Sequence, residues 1–319
     1  MENIQFAQKK NINKRDKLKV SQEDSILFKR SKATKVLFGF IFALFCLYAL
    51  SLIAPFVFLF FNSLKTSSEY TTDLANGQSM ALPDQWLFQN YVDAFKSMKL
   101  PRVGKTPVGL LGLFFNSIWY SLVCSLSGVF ASALTAYCLA KYRFKLRGFF
   151  YGIAIFSMTI PILGSTGATY KLLYALELYN TPFLPVLLNF SGFGFNFLIL
   201  YGFFSNIPWS YAEAVFMDGG GHGTVFFKIM LPQAWPAMLT LIIMSFITAW
   251  NDYLTVLLYM PHYPTLASGL HLLESSRELQ RNKPMYFAGL MLSLVPIVVL
   301  FSAFSNTIMQ NFTVGGLKG

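Results

Sequence analysis

The sequence predicts an all-α membrane protein with six transmembrane helices and a polar helix–turn–helix on its cytoplasmic side. Three observations carry that prediction. The 319 residues are 55% hydrophobic and only 12% charged, with a mean hydropathy of +0.50, whereas soluble domains are about a quarter charged. The apolar residues fall into six runs long enough to cross a bilayer, which takes about 20 residues each. Basic stretches stand ahead of the first run and between the second and third, two spans apart, as the positive-inside rule requires.

The elements follow in order. Residues 1–35 are a basic tail, with ten of the 25 Lys and Arg between positions 9 and 35. A basic head placed directly before a span is a topology signal, so the net charge of +11 does not point to nucleic acid. The tail is longer than topology requires. Binding to anionic headgroups, binding to a partner chain and plain disorder all stand open for it. The first span, 36–62, is too long for a signal-peptide core and is read as retained. An extracytoplasmic loop covers 63–112, with basic and acidic residues mixed along it.

The core, 113–309, holds five more spans: within 113–140, then 148–170, 184–204, 237–260 and 287–309. The second connects to the third through KYRFKLRG, whose Lys141, Arg143, Lys145 and Arg147 have no acid among them. That connection, the segment 205–236 and the tail 310–319 are expected inside the cell, and 261–283 outside. Pro55, Pro161, Pro182, Pro185 and Pro296 sit in or beside the spans, and Gly164, Gly167, Gly192 and Gly194 interrupt the third and fourth. Such breaks serve either helix packing or an unwound stretch along a pathway. Cys46, Cys124 and Cys138 lie in apolar runs, with no disulfide framework or metal-ligand spacing.

The stretch SYAEAVFMDGGGHGTVFFKIMLPQAWP, 210–236, breaks the apolar pattern. Ser210 and Glu213 have capping-box spacing for a short helix reaching about Asp218. Glycines 219–221 allow a left-handed turn. A second short helix is expected from near Thr224, ended by Leu231, Pro232 and Pro236. GGGHG is not a phosphate loop: no strand precedes it and no Lys follows at the required place. No other nucleotide site is legible, and His222 has no metal partner nearby in sequence.

These residues resemble the loop of ABC-importer membrane subunits, E-A-A, three residues, G, nine residues, I, one residue, L-P. Glu213, Ala214 and Val215 are followed after Asp218 by Gly219, and nine residues later by Ile229, then Leu231 and Pro232. The departure is Val215 for a smaller residue. QNYVDAF in the outer loop, FFNS at 114–117, KYRFKLRG, WNDYL at 250–254 and the tail FTVGGLKG are similar to carbohydrate permeases of the maltose type, specifically their second permease subunit. The resemblance implies the type I importer permease fold and a bacterial cytoplasmic membrane location with both termini inside. It implies a heterodimer with a similar permease, two ATPase subunits that use ATP and Mg, an extracytoplasmic sugar-binding protein and a carbohydrate substrate. It assigns the loop to docking on the ATPase; on residue chemistry alone, Glu213 also serves to cap its helix and Gly219 to make a turn. This chain itself would bind no cofactor and perform no chemistry.

For the substrate pathway, Asp252 is the one acid within the predicted spans, and an intramembrane charge is by default a functional candidate. Trp250, Asn251 and Asp252 offer a stacking ring with polar groups, which suits a sugar; the alternative is a structural hydrogen-bond network between helices or an outer-interface anchor. Asn189, Ser191 and Asn196 in the fourth span are further candidates. An ABC permease for another solute would share the loop. An ion-coupled secondary transporter would need midplane carboxylates or histidines beyond Asp252, and a membrane enzyme would need a catalytic cluster that the spans lack.

Overall fold

A computed structural model describes residues 32–102, 105–160 and 164–314. The basic tail up to residue 31, Pro161 and the tail 315–319 lie outside the described residues. The chain divides into two compact units, 1–58 and 59–319.

Helix α1, Lys32–Ser63, is apolar on all sides, and its side chains from Val36 to Leu52 are exposed along its length. Such a helix is stable only in lipid or against partner protein.

The second unit begins with a small outer layer. Here α2 (Ser67–Ala75) starts in a capping box that the sequence reading did not single out, Thr66 with Glu69. Next come α3 (Gln89–Ser97) and strands β1 (Lys99–Arg102) and β2 (Lys105–Gly109). The hairpin corrects the all-α expectation. Leu100 pairs with Val108, and both are buried in a cluster with Met98, Leu110 and Leu113, so burial of one apolar cross-strand pair holds the ribbon.

Lys65 is wholly buried, and its Nζ donates to Asp73 at 2.7 Å. Asn90 closes the turn around it by donating to the carbonyls of Ser63 (2.8 Å) and Lys65 (2.9 Å). Removing one partner of a buried ion pair strands the other charge. Asp73→Ala is expected to cost about 2–3 kcal/mol, the low end because Asp73 is partly exposed. Thermal unfolding in detergent checks this, and adding Lys65→Met should recover most of the loss.

Four helices are long and apolar enough to cross a membrane among the described residues: Thr34–Ser63, Leu110–Lys141, His222–Trp250 and Lys283–Ser305. We label the last three α4 (Leu110–Lys141), α10 (His222–Trp250) and α14 (Lys283–Val314). The third and fourth apolar runs are each broken. The third is α5 (Arg147–Thr159) and α6 (Ser165–Ala175); the fourth is α7 (Leu184–Asn189) and α8 (Phe195–Asn206). Gly164 (φ +80°) and Gly194 (φ +138°) stand at these breaks, in backbone that a Cβ disfavours.

Helix α4 is the hub, packed on α7, α8 and α10. Its buried face carries Ser117, Ser121, Ser125, Ala131, Ser132, Ala133 and Ala136. Small residues let backbones approach closely where the hydrophobic effect cannot drive association. A Cβ on Gly192 would collide with Thr135 of α4, and one on Gly128 would lie 3.3 Å from the Asn189 carbonyl oxygen. The rest of the second unit is α9 (Ser210–Met217), α11 (Leu254–Tyr259), α12 (Leu266–Glu274) and α13 (Arg277–Arg281).

Candidate functional site

Two features are built on this frame. The first is a cavity of about 450 Å³ between α4, the α7–α8 break and the far end of α10, with polar groups set among apolar ones such as Phe193, Phe195 and Met244. Tyr120, Cys124, Gly128 and Ser132 line it from α4, Asn189, Ser191 and Asn196 from the break, and Ser245, Thr248 and Asp252 from α10 and its end. Asp252 is the one carboxylate among these residues. Its Oδ2 accepts from Tyr120 Oη at 3.0 Å, and its Oδ1 accepts the N–H of Thr255 at 3.1 Å, where α11 opens. Asn196 Nδ2 donates to Ser245 Oγ (3.3 Å), and Asn189 Nδ2 donates to Pro185 O (2.9 Å) and Cys124 Sγ (3.2 Å).

Of the pathway candidates, Asp252, Asn189, Ser191 and Asn196 meet in this cavity, although they come from two segments far apart in sequence. Trp250 and Asn251 do not. The Trp250 ring is buried, stacked on Phe246 (5.7 Å, 29°) and edge-on to Phe114 (6.0 Å, 80°). It is a packing residue. Asn251 is exposed and bonds back to the Ile247 carbonyl. Each helical step turns the chain by about 100°, so three consecutive side chains spread over about 200° and one span end cannot aim all three at one cavity. Tyr120, Ser132, Ser245 and Thr248 were not singled out in sequence. Their serine and threonine types are common in any membrane helix, and only the fold shows which ones converge.

The second feature is the elbow at 205–236. Its first helix, α9, begins one residue earlier than the capping-box spacing suggests. Trp209 is the N-cap and no side chain caps it, so the Ser210–Glu213 box does not form. Trp209 is held by edge-on contacts to Tyr142 (5.9 Å) and by Phe216 (6.2 Å). That anchoring moves Ser210 to the first helical position, where its hydroxyl cannot serve the third N–H.

The helix ends in a full Schellman turn. Gly219 has φ +78°. Its N–H bonds Phe216 O, and the Gly220 N–H bonds Val215 O (2.8 Å). A Cβ on Gly220 would sit 2.5 Å from Val215 Cγ1 and 3.0 Å from its carbonyl oxygen. Gly220→Ala is therefore expected to cost about 1–3 kcal/mol, as overpacking does, with a matching fall in the yield of folded protein by fluorescence-detected size exclusion.

The chain does not stop at Pro232 and Pro236. Both lie inside the continuous helix α10, contrary to the expectation of a second short helix. Residues Val225–Met230 form a π-helical turn, and the Leu231 N–H bonds Phe226 O, five residues back. Pro232 has no N–H to offer Lys228 O. The widened turn gives its ring room and lets the helix run on.

Glu213 and Ala214 are exposed on α9, and Met217 is 87% exposed. The Glu213 side chain makes no hydrogen bond among the described residues. Asp218 is exposed at the helix end, Val215, Ile229 and Leu231 are half-buried, and Pro232 is exposed. The inner face, with Ala212, Val225, Phe226 and Met230, is buried on Tyr137 and Phe204.

Residues 128–313 match the model of the binding-protein-dependent transport system inner membrane components. The chain belongs to that family. It is 30% identical to the inner membrane ABC transporter permease protein YcjP of Escherichia coli (strain K12), over 86% of this chain and 95% of that protein. It is 27% identical to the diacetylchitobiose uptake system permease protein NgcG of Streptomyces coelicolor, over 86% of this chain and 87% of that one. It shares its fold with a chain of a bacterial ABC transporter involved in the import of the acidic polysaccharide alginate. The TM-score there is 0.69 at 20% identity, covering 87% of this chain and 98% of the other. The family makes this chain a transport permease subunit and not an enzyme. The matched region contains the last part of α4 from Gly128, the cavity break, the elbow and α10.

Proposed function

We propose that this chain is one permease of an ATP-driven importer in the bacterial cytoplasmic membrane and forms part of the translocation pathway for a carbohydrate, an oligosaccharide. The cavity, where hydroxyls, amides and one carboxylate converge among apolar side chains, carries this reading. Hydroxyls, amides and a carboxylate beside aromatic rings suit a polyhydroxylated solute. NgcG, a relative over most of the chain, is named for uptake of a sugar. Counting α5 with α6 and α7 with α8 as one broken crossing each brings the spans to six. Both termini and the elbow are then cytoplasmic.

The exposed Glu213, Ala214 and Met217 on a helix anchored from behind support the elbow as the dock for an ATPase subunit. ATP and Mg belong to that partner, and this chain binds no cofactor. The rest of the assembly comprises a second permease forming a heterodimer, two ATPases, a sugar-binding protein outside and the surrounding lipid, without nucleic acid. ATPase closure would move the elbows, and the bundle would alternate between inward- and outward-facing states. Trehalose, diacetylchitobiose and arabinotriose are suitable probes in proteoliposomes holding all partners. Stimulation of ATP hydrolysis by one of them supports the sugar reading. Stimulation by amino acids or peptides alone moves the substrate to another class, and ion-gradient-driven flux without the ATPase refutes the importer.

A further inference from the structure

The elbow is covalently continuous with two cavity-lining helices, α8 ahead of it and α10 after it. The helix α4 adjoins neither end of the elbow in sequence, yet its own end is fastened to the elbow on both sides of α9. Ahead of α9, Lys141 Nζ donates to the Ile207 carbonyl, and the Tyr142 ring packs edge-on to Trp209. After α9, Tyr142 Oη and His222 Nδ1 share a hydrogen bond of 2.8 Å, with their rings 5.4 Å apart at 61°. Tyr142 Oη also meets Tyr137 Oη at 3.2 Å, one turn back on α4, and Phe216 of α9 closes on the His222 ring at 5.0 Å. His222 is exposed and Tyr142 half-buried. A single exposed hydrogen bond contributes little to fold stability, so this contact is poorly explained as a core element. Its place is better explained by what it joins.

We propose that Tyr142 and His222 are positioning residues that couple α4 to the elbow, so that α4 follows the ATPase together with the cavity-lining helices that adjoin the elbow. The proposal rests on the elbow being the dock. Through α4 the displacement reaches Ser132, Gly128, Cys124 and Tyr120 on one wall, and through α10 it reaches Ser245, Thr248 and Asp252 on the other. Without the link, α4 keeps the Lys141–Ile207 hydrogen bond and ring packing ahead of α9 and only side-chain packing on the elbow after it. This accounts for a histidine within the glycines of the elbow, with no metal cluster among the described residues.

The test uses the full complex in proteoliposomes, on a cysteine-free background of this chain, with pulsed spin–spin distances. One label pair joins the exposed Leu82 to Leu146 beyond the end of α4; a second joins Leu82 to the exposed Gln233 of α10, just after its π turn. The probe is Mg-ATP with vanadate. Both distances should shift in the unmodified link. In Tyr142→Phe and His222→Ala the Leu146 shift should fall by half or more while the Gln233 shift persists and the ATPase still co-purifies. His222→Asn, which keeps a hydrogen-bonding atom near the Nδ1 position, should restore it. An undiminished Leu146 shift in both variants overturns the link and leaves the dock intact. No nucleotide-driven shift at either site in the unmodified link overturns the dock and the link together.

Discussion

Complexes carrying Glu213→Ala in this chain are expected to lose solute-stimulated ATP hydrolysis by tenfold or more while the chain still inserts and folds. The carboxylate is exposed on α9, without a hydrogen bond of its own among the described residues, so its removal leaves no buried group stranded. A desolvated charge pair across an interface costs about 2–5 kcal/mol when one partner is truncated, which is more than tenfold in affinity. Gly219 separates docking from turn formation. At φ +78° asparagine is tolerated far better than a β-branched residue. If Gly219 only makes the turn, Gly219→Asn should be mild and Gly219→Val severe. If the ATPase surface approaches it closely, both should fail to bind the ATPase in co-purification. A Glu213→Ala complex with wild-type stimulation would remove α9 from the dock.

Asp252→Leu is expected to lower transport, as kcat/KM for the stimulating sugar, by about 10–100-fold, the loss of one or two hydrogen bonds to a charged group. The substitution also removes the acceptor for Tyr120 Oη and for the Thr255 N–H, so Asp252→Asn is the needed companion. It keeps an oxygen for Thr255 while abolishing the charge. Transport lost in both variants, with unchanged thermal midpoint, places the charge in the pathway. Transport kept in Asp252→Asn and lost in Asp252→Leu makes Asp252 a structural cap at the α10–α11 break.

Much of this architecture was legible because its signals are local. The lengths of α1, α4 and α14 follow from uninterrupted apolar runs, which lipid makes into helices because a helix satisfies its backbone groups within its own segment. The breaks at Gly164 and Gly194 were legible as glycines among apolar residues. The elbow was legible as a spacing, and its left-handed Gly219 follows from having no Cβ. Prolines misled. Pro232 and Pro236 are helix-ending residues in water, but the π turn at Val225–Met230 absorbs the missing N–H and α10 continues. The Ser210–Glu213 spacing also misled, because the Trp209 anchor overrode it.

By itself the sequence determined that this chain crosses a membrane, roughly where, and that a polar Gly-broken elbow interrupts its spans. Hydropathy, charge sign and the conformational freedom of glycine act over a few residues and can be read in a line. Only the tertiary structure decided which polar side chains share a cavity. Asp252 meets Asn189 and Asn196 while its neighbour Trp250 is buried among phenylalanines, and Tyr142 meets a histidine 80 residues away. Those choices depend on the rotation of each helix about its axis, and that is set by packing of small residues along α4 against the other helices, a long-range property that no single segment encodes.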